Sequence, residues 1–260
     1  MSCAVAAPAA ICFDAYGVSF ELRAFDRQLL GALARVMPPG ASIAEPAAVA
    51  AVYSIVEDDG SYLLQADHSR LAESVHLEEI LALLESALHF HVAAAARTRL
   101  FVHAGVVGWN GGAIVLPGRT HAGKSSLVAA LVRAGATYYS DEYAVLDDRG
   151  FVHPFARALG IRDEKGRTRR VDPHTLGAVG DAPLPATRVI ATRHVAGGQW
   201  RAAPMSPGET VLALLENTLA ARTRPADALR VLAAVARRAR GIRGERGDAA
   251  AAVEQILTAE

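Results

Sequence analysis

The segment Gly118-Arg119-Thr120-His121-Ala122-Gly123-Lys124-Ser125 satisfies G-x-x-x-x-G-K-[ST] at every defined position. It constrains the fold because the pattern works only where a strand delivers the chain into a tight loop and a helix carries it away. Both flanks meet that condition. Ala113 to Leu116 is an apolar run that reads as a strand, and Lys124 to about Ala134 reads as a helix closed by Gly135. In such a loop the backbone N–H groups and the positive end of the helix cradle phosphates, the lysine neutralises β/γ oxygens and the serine hydroxyl holds Mg²⁺. The expected nucleotide contacts are Gly118, Arg119, Thr120, His121, Ala122, Gly123, Lys124, Ser125 and Ser126, with ATP and Mg²⁺ as the bound species. The lysine is informative in itself, since only Lys124 and Lys165 among the 27 basic residues are lysines.

The strand entering the loop has an unusual predecessor. Leu100 to Val107 reads as a strand, and the Asn110-Gly111 pair after it is the turn chemistry of a two-residue hairpin. The phosphate strand is therefore expected to run antiparallel to its neighbour, whereas ordinary P-loop NTPases reach theirs by parallel crossovers. After the helix, Thr137 to Tyr139 reads as a strand ending at Ser140-Asp141-Glu142, which delivers two carboxylates to the phosphates. One can ligate metal while the other accepts the proton of an attacking hydroxyl.

In this order, His103-Ala104-Gly105-Val106, the hairpin, the P-loop and Ser140-Asp141-Glu142 resemble the HPr kinase/phosphorylase family and its shorter relatives. The resemblance covers about residues 99–163 and implies an α/β fold with a phosphoenolpyruvate-carboxykinase-like mixed-sheet core. It implies Asp141 as the base facing the acceptor hydroxyl, Glu142 with Ser125 on the metal side, and His103 beside the transferring phosphate. Arg157, in Arg157-Ala158-Leu159-Gly160-Ile161, matches a family segment and would lie near the phosphates. Glu142 replaces the family's second aspartate, Arg119-Thr120-His121 replaces its small polar loop residues, and its C-terminal phosphorylase signature is not found. The implied activity is Mg²⁺-dependent transfer of the ATP γ-phosphoryl group to a serine of a protein or peptide, a ribosomal precursor peptide included. A small hydroxyl metabolite as acceptor, or a nucleotide-binding regulator without transfer, are the alternatives. A homo-oligomer is in keeping with the family.

Residues 1–97 are expected to form an N-terminal α/β accessory region and 98–260 the kinase core. Asp26 to Val36 reads as a helix, Asp58-Asp59-Gly60 as a hairpin turn, and Leu77 to about Ala96 as an amphipathic helix with His89 and His91 on its surface. Arg162 to His174 reads as a charged surface loop holding Arg162, Lys165, Arg167, Arg169 and Arg170, with the potential to close over an anionic substrate. Arg188 to Arg193 and Gln199 to Ala203 read as a hairpin, and Ser206, Pro207 and Glu209 as a capping box. A last helix, about Pro225 to Arg240, is expected to place Leu229, Leu232 and Val235 inward, and the arginines from Arg222 to Arg246 read as a solvated face. The 27 basic residues equal the 27 acidic ones, so no global field favours nucleic acid or a membrane. No stretch of about 20 apolar residues occurs, and the two cysteines form no C-x-x-C pair, which fits a reducing, cytoplasmic setting.

Overall fold

The computed structural model describes residues 9–25, 27–45, 48–119, 122–162 and 167–259. The chain divides into two compact units, Met1–Thr98 and Arg99–Glu260.

In the first unit β1 (Ala9–Ala15) turns at Tyr16-Gly17, both at positive φ, into the antiparallel β2 (Val18–Ala24). The chain continues through α1 (Arg27–Leu33) and β3 (Ser42–Ile43) to β4 (Ala51–Asp58), which runs parallel to β2. Asp59-Gly60 closes a hairpin into β5 (Ser61–Ala66), and β6 (Ser69–Ser74) completes a six-stranded sheet ordered β3-β1-β2-β4-β5-β6. Phe20, Leu22 and Ala24 alternate with polar residues along β2, as do Tyr53 and Ile55 along β4, so one face of the sheet is apolar and buried. Against β5 and β6 lies α2 (Leu77–Ala95), which buries Ile80, Leu84, Leu88 and Val92. Each such side chain contributes about 1.5–3 kcal/mol on burial. The helix buries more than the apolar periodicity suggests. His89 is 1% exposed, and the half-buried His91 packs edge-on to Phe20 with Nδ1 3.1 Å from the Tyr53 hydroxyl, so neither is the surface residue expected.

The second unit starts with β7 (Leu100–Trp109), the Asn110-Gly111 turn at φ 49° and 75°, and β8 (Gly112–Pro117), antiparallel to β7. There follow α3 (Lys124–Arg133), β9 (Thr137–Ser140), β10 (Tyr143–Leu146), β11 (Phe151–His153), β12 (Leu159–Arg162) and β13 (Thr168–Val171). Then come β14 (Leu184–His194), β15 (Arg201–Met205), α4 (Pro207–Leu215), α5 (Pro225–Ala236), β16 (Arg240–Arg246) and α6 (Val253–Thr258). The main sheet runs β11-β10-β7-β8-β14-β16-β15, with β9 also paired to β7. It is mixed, because β14 is parallel to both β8 and β16 while the β7 contacts are antiparallel. Each face carries its own core: Val102, Val115 and Val189 pack with Leu214, Val231 and Leu232 of α4 and α5, whereas Ile114, Leu116 and Ile242 pack with Leu127, Leu131 and Ile256 of α3 and α6.

Four expectations are corrected here. Of the segment from Arg162 to His174, the described residues are not all loop: β12 and β13 form a two-stranded ladder from Leu159–Val171 to Arg162–Thr168, with a short 3-10 turn at Pro173–Thr175 behind it, and Lys165 lies outside the described residues. β14 and β15 do not form a hairpin, because β16 inserts between them, parallel to one and antiparallel to the other. Of the arginines from Arg222 to Arg246, Arg222, Arg230, Arg237, Arg238, Arg240 and Arg243 are exposed as expected, but the last of them, Arg246, ends that inserted strand and is 2% exposed. Leu229 is 47% exposed, and Ala228, Val231, Leu232 and Val235 form the inward stripe of α5 instead. The capping box is present, with Ser206 Oγ accepting from the Glu209 N–H and the Glu209 carboxylate accepting from the Ser206 N–H. Among the described residues no helix is long and apolar enough to cross a membrane.

Candidate phosphate-binding site

Strand direction explains why the P-loop and the acidic pair meet. β8 and β9 are both antiparallel to β7, so they run the same way and their carboxyl ends lie at one end of the sheet. β10 extends the line of β9 along β7, with Ser140 opposite Val106 and Tyr143 opposite His103. Asp141 and Glu142 are the interruption between the two segments. Ser140 Oγ holds it by accepting from the N–H groups of Glu142 (3.1 Å) and Tyr143 (3.0 Å). The break turns both carboxylates out of the ladder.

From β8 the chain passes Gly118, whose N–H donates to the His103 carbonyl at 3.3 Å, and Gly123 adopts φ 75° at the N-cap of α3. The Lys124 ammonium donates to the carbonyls of Gly118 and Arg119, both at 2.8 Å, and so curls over the loop. Thr120 and His121 lie outside the described residues. A cavity of about 310 Å³ opens beside this turn, lined by Gly123, Lys124, Ser125 and Ser126 from the loop and helix, and by His103, Asp141, Glu142 and Arg157 from across the sheet end. Gly160 and Thr168 of the β12–β13 ladder complete its wall. The expected residues Lys124, Ser125, Ser126, Gly123, His103, Asp141, Glu142 and Arg157 thus share one cavity; Gly118, Arg119 and Ala122 belong to the loop but not to its lining.

The polar contacts define roles. Asp141, 8% exposed, accepts from Tyr138 Oη at 3.2 Å, and the nearby Ser125 hydroxyl favours its charged form. The same Tyr138 hydroxyl lies 2.9 Å from the Arg157 carbonyl, so Tyr138, 0% exposed, spans the floor of the site. Glu142 forms an ion pair with the Arg157 guanidinium. Glu142 is therefore tied to Arg157, while Ser125, Asp141 and Glu142 all line the cavity in which the resemblance would join Ser125 with Glu142 at the metal.

Burial raises the Asp141 carboxyl above the ordinary aspartate range, against the hydrogen bonds from Ser125 and Tyr138 and the charge of Arg157. Lys124 falls to about 8, chiefly through burial, with Asp141 and Glu142 opposing the shift. His103 falls to about 4 through burial and the nearby Lys124 charge, so it is neutral at pH 7. Its backbone N–H is held by the Asn217 carbonyl at 2.7 Å, which fixes the strand under the ring. Among the described residues no group of three or more His, Cys, Asp or Glu forms an all-protein metal cage. A hydroxyl and a buried carboxylate lining one cavity beside a lysine suit Mg²⁺, which takes one or two protein ligands and fills its shell with water and phosphate oxygens.

Two residues that contact the candidate site lie outside the motifs. Tyr138 is signalled in the sequence only as a strand residue three positions before Asp141. Arg246 arrives from β16: its guanidinium donates to the carbonyls of Gly123 (3.0 Å), Ala122 (3.3 Å) and Gly247 (3.2 Å), pinning the end of the phosphate loop from below. No family model matches the chain, and no curated protein sequence matches it.

Proposed function

We propose that the chain is a Mg²⁺-dependent kinase that transfers the γ-phosphoryl group of ATP to a serine hydroxyl of a protein or peptide, on a core similar to that of phosphoenolpyruvate carboxykinase. The observation that carries the proposal is that Lys124 and Ser125 of the G-x-x-x-x-G-K-[ST] segment line one cavity with Asp141 and Glu142, the carboxylates the chain delivers from the next strand. Lys124 exchanges its loop carbonyls for β/γ-phosphate oxygens, and the N–H groups at the start of α3 take the remaining charge. Ser125 and Asp141 would hold Mg²⁺, which would supply charge neutralisation on the phosphates. Glu142 faces the acceptor, orients its hydroxyl and takes its proton at a carboxylate oxygen, with Arg157 released toward the transferring group. This reverses the division of labour implied by the resemblance, in which Asp141 was the base, and its support is the ion pair that ties Glu142 to Arg157 while the nearby Ser125 hydroxyl favours the charged form of Asp141. Neutral His103 adds a hydrogen bond without adding charge.

The test is a transfer assay with γ-labelled ATP and Mg²⁺ on a cell lysate separated into proteins, peptides and small metabolites. Label entering the protein or peptide fraction with wild-type chain, and not with Asp141→Asn, is the expected result. Label confined to the metabolite fraction, or none transferred from an ATP that binds, would overturn the acceptor class or the activity.

A further inference from the structure

The parallel half of the main sheet places a second set of residues next to the phosphate loop. β8, β14 and β16 run in one direction, so Pro117, His194 and Arg246 end at the same edge. From β8 the chain turns to β9 on the β7 side, while β14 flanks β8 on the other side. Ligands of open α/β sheets sit outside the carboxyl ends of the strands, where the winding divides. The acidic pair occupies the β9 side of that crevice. A nucleotide whose phosphates lie on the loop, with its terminal phosphate facing the acidic pair, directs its other end away from that pair, toward the β14 and β16 side.

Trp200 stands there. It lies one residue before the Arg201–Glu245 pair of β15 and β16, level with Arg246 and on the same face of the sheet. Its indole packs with the core cluster that contains Leu127, Leu131 and Ile242, the α3 side of the sheet, and remains partly exposed. The ring lies so close over Gly244 that a Cβ there would stand 2.7 Å from two of its six-membered-ring atoms, so glycine sets the depth of the ring. Two residues along the strand, Arg246 holds the Ala122 and Gly123 carbonyls. The loops after β14 and β16 are locked together, with the Val195 N–H donating to the Arg246 carbonyl at 2.8 Å and Gly198 packed on Gly247.

We infer that Trp200, on the joined β14–β15 and β16–α6 loops, is the stacking platform for the nucleotide base, and that Arg246 fixes its position relative to the phosphate loop. The inference rests on the reading of Gly118–Ser125 as a nucleotide phosphate site. An aromatic plane accepts any base through its π-face, so the subsite secures the nucleoside end without selecting one base by hydrogen bonds.

The chain has two tryptophans, Trp109 and Trp200, which makes the test clean. Trp109 pairs with Gly112 at the far end of β8, roughly 17 Å from the phosphate loop by strand rise. In full-length Trp109→Phe, where Trp200 is the sole reporter, emission is expected to be quenched by ATP and unchanged by inorganic triphosphate, with binding of both followed by calorimetry. Trp200→Leu, which still fills the space over Gly244, should weaken ATP by about 5- to 150-fold and leave triphosphate unaffected, while Trp200→Phe recovers most of the loss. ATP and triphosphate that both bind, with silent Trp200 emission and equal ATP affinity in the Leu and Phe variants, would overturn the base platform and leave the phosphate site standing. If neither ligand binds the wild-type chain, the phosphate reading fails and the platform with it.

Discussion

The Arg246 guanidinium lies 3.0 Å from the Gly123 carbonyl, joining the last strand of the sheet to the phosphate loop across 123 residues of sequence. The carbonyls at the end of the loop point down to this cation, which leaves the N–H groups at the start of α3 to face the cavity. Arg246→Met removes a buried cation and its hydrogen bonds to the Ala122 and Gly247 carbonyls, while the Gly123 carbonyl keeps the Leu127 N–H at 3.2 Å, at an expected cost of about 1–3 kcal/mol in urea unfolding. ATP affinity should fall with it, and millimolar methylguanidinium should restore part of that affinity in Arg246→Ala. A variant with wild-type stability and affinity would show that the contact does not organise the loop.

The two carboxylates should separate by their response to metal. Asp141→Asn is expected to abolish the Mg²⁺-dependent gain in ATP affinity along with transfer, because Asp141 is the buried carboxylate that shares the cavity with Ser125 and is not tied to Arg157 by an ion pair. Glu142→Gln should retain that gain while transfer falls by about 10²- to 10⁴-fold, the usual range for loss of a general base. Titration of a fluorescent ATP analogue with and without Mg²⁺ reads the first quantity and labelled transfer the second. The opposite pattern would return the metal to Glu142.

His103 provides a pH test in the absence of nucleotide. Its folded value of about 4 lies below the unfolded 6.5, so the unfolded chain binds the extra proton first and stability is lost as pH falls from about 6.5 toward 4. The shift gives at most about 2 kcal/mol between pH 7 and pH 5, and about 1 kcal/mol after allowance for solvent screening. Asp141, raised by burial, works in the opposite sense, so the comparison must be with His103→Gln rather than across pH alone. The variant's unfolding free energy should decline less than wild type over this interval; parallel declines would show that His103 titrates as in the unfolded chain.

Local signals carried the centre of the site. Asn110-Gly111 between two apolar runs specifies a hairpin whatever surrounds it, and the P-loop glycines and Lys124 are contiguous. The position of β16 is a different kind of information. Arg240 to Arg246 holds one large apolar residue, Ile242, so no alternation announces a strand, and its two partners begin 52 and 39 residues earlier, at Arg188 and Arg201. Arg246 reads as one more surface cation until the sheet order puts it under the loop. The β12–β13 ladder was hidden likewise, because its outer strand, Thr168 to Val171, is polar and exposed. His89 shows the same limit on a helix: its place on the buried stripe follows from phase, but its polarity argues for the surface.

The packing of α3 on β7 offers a test that needs no ligand. A Cβ added at Gly105 would stand 2.6 Å from Val128 Cγ2, closer than any stable carbon contact, so this glycine lets the phosphate helix seat against the strand that carries His103. Gly105→Ala should cost about 1–3 kcal/mol by overpacking and, since the helix must shift at the turn after Lys124, weaken ATP binding as well. Val128→Ala alone opens a small void and costs stability through lost packing. Combined, the two substitutions exchange one methyl for the space of two, so the double variant should be more stable than the sum of the single losses predicts and should regain ATP affinity. Strict additivity in both measurements would mean that the helix does not rest on Gly105, and that the phosphate loop takes its position from β8 and Arg246 alone.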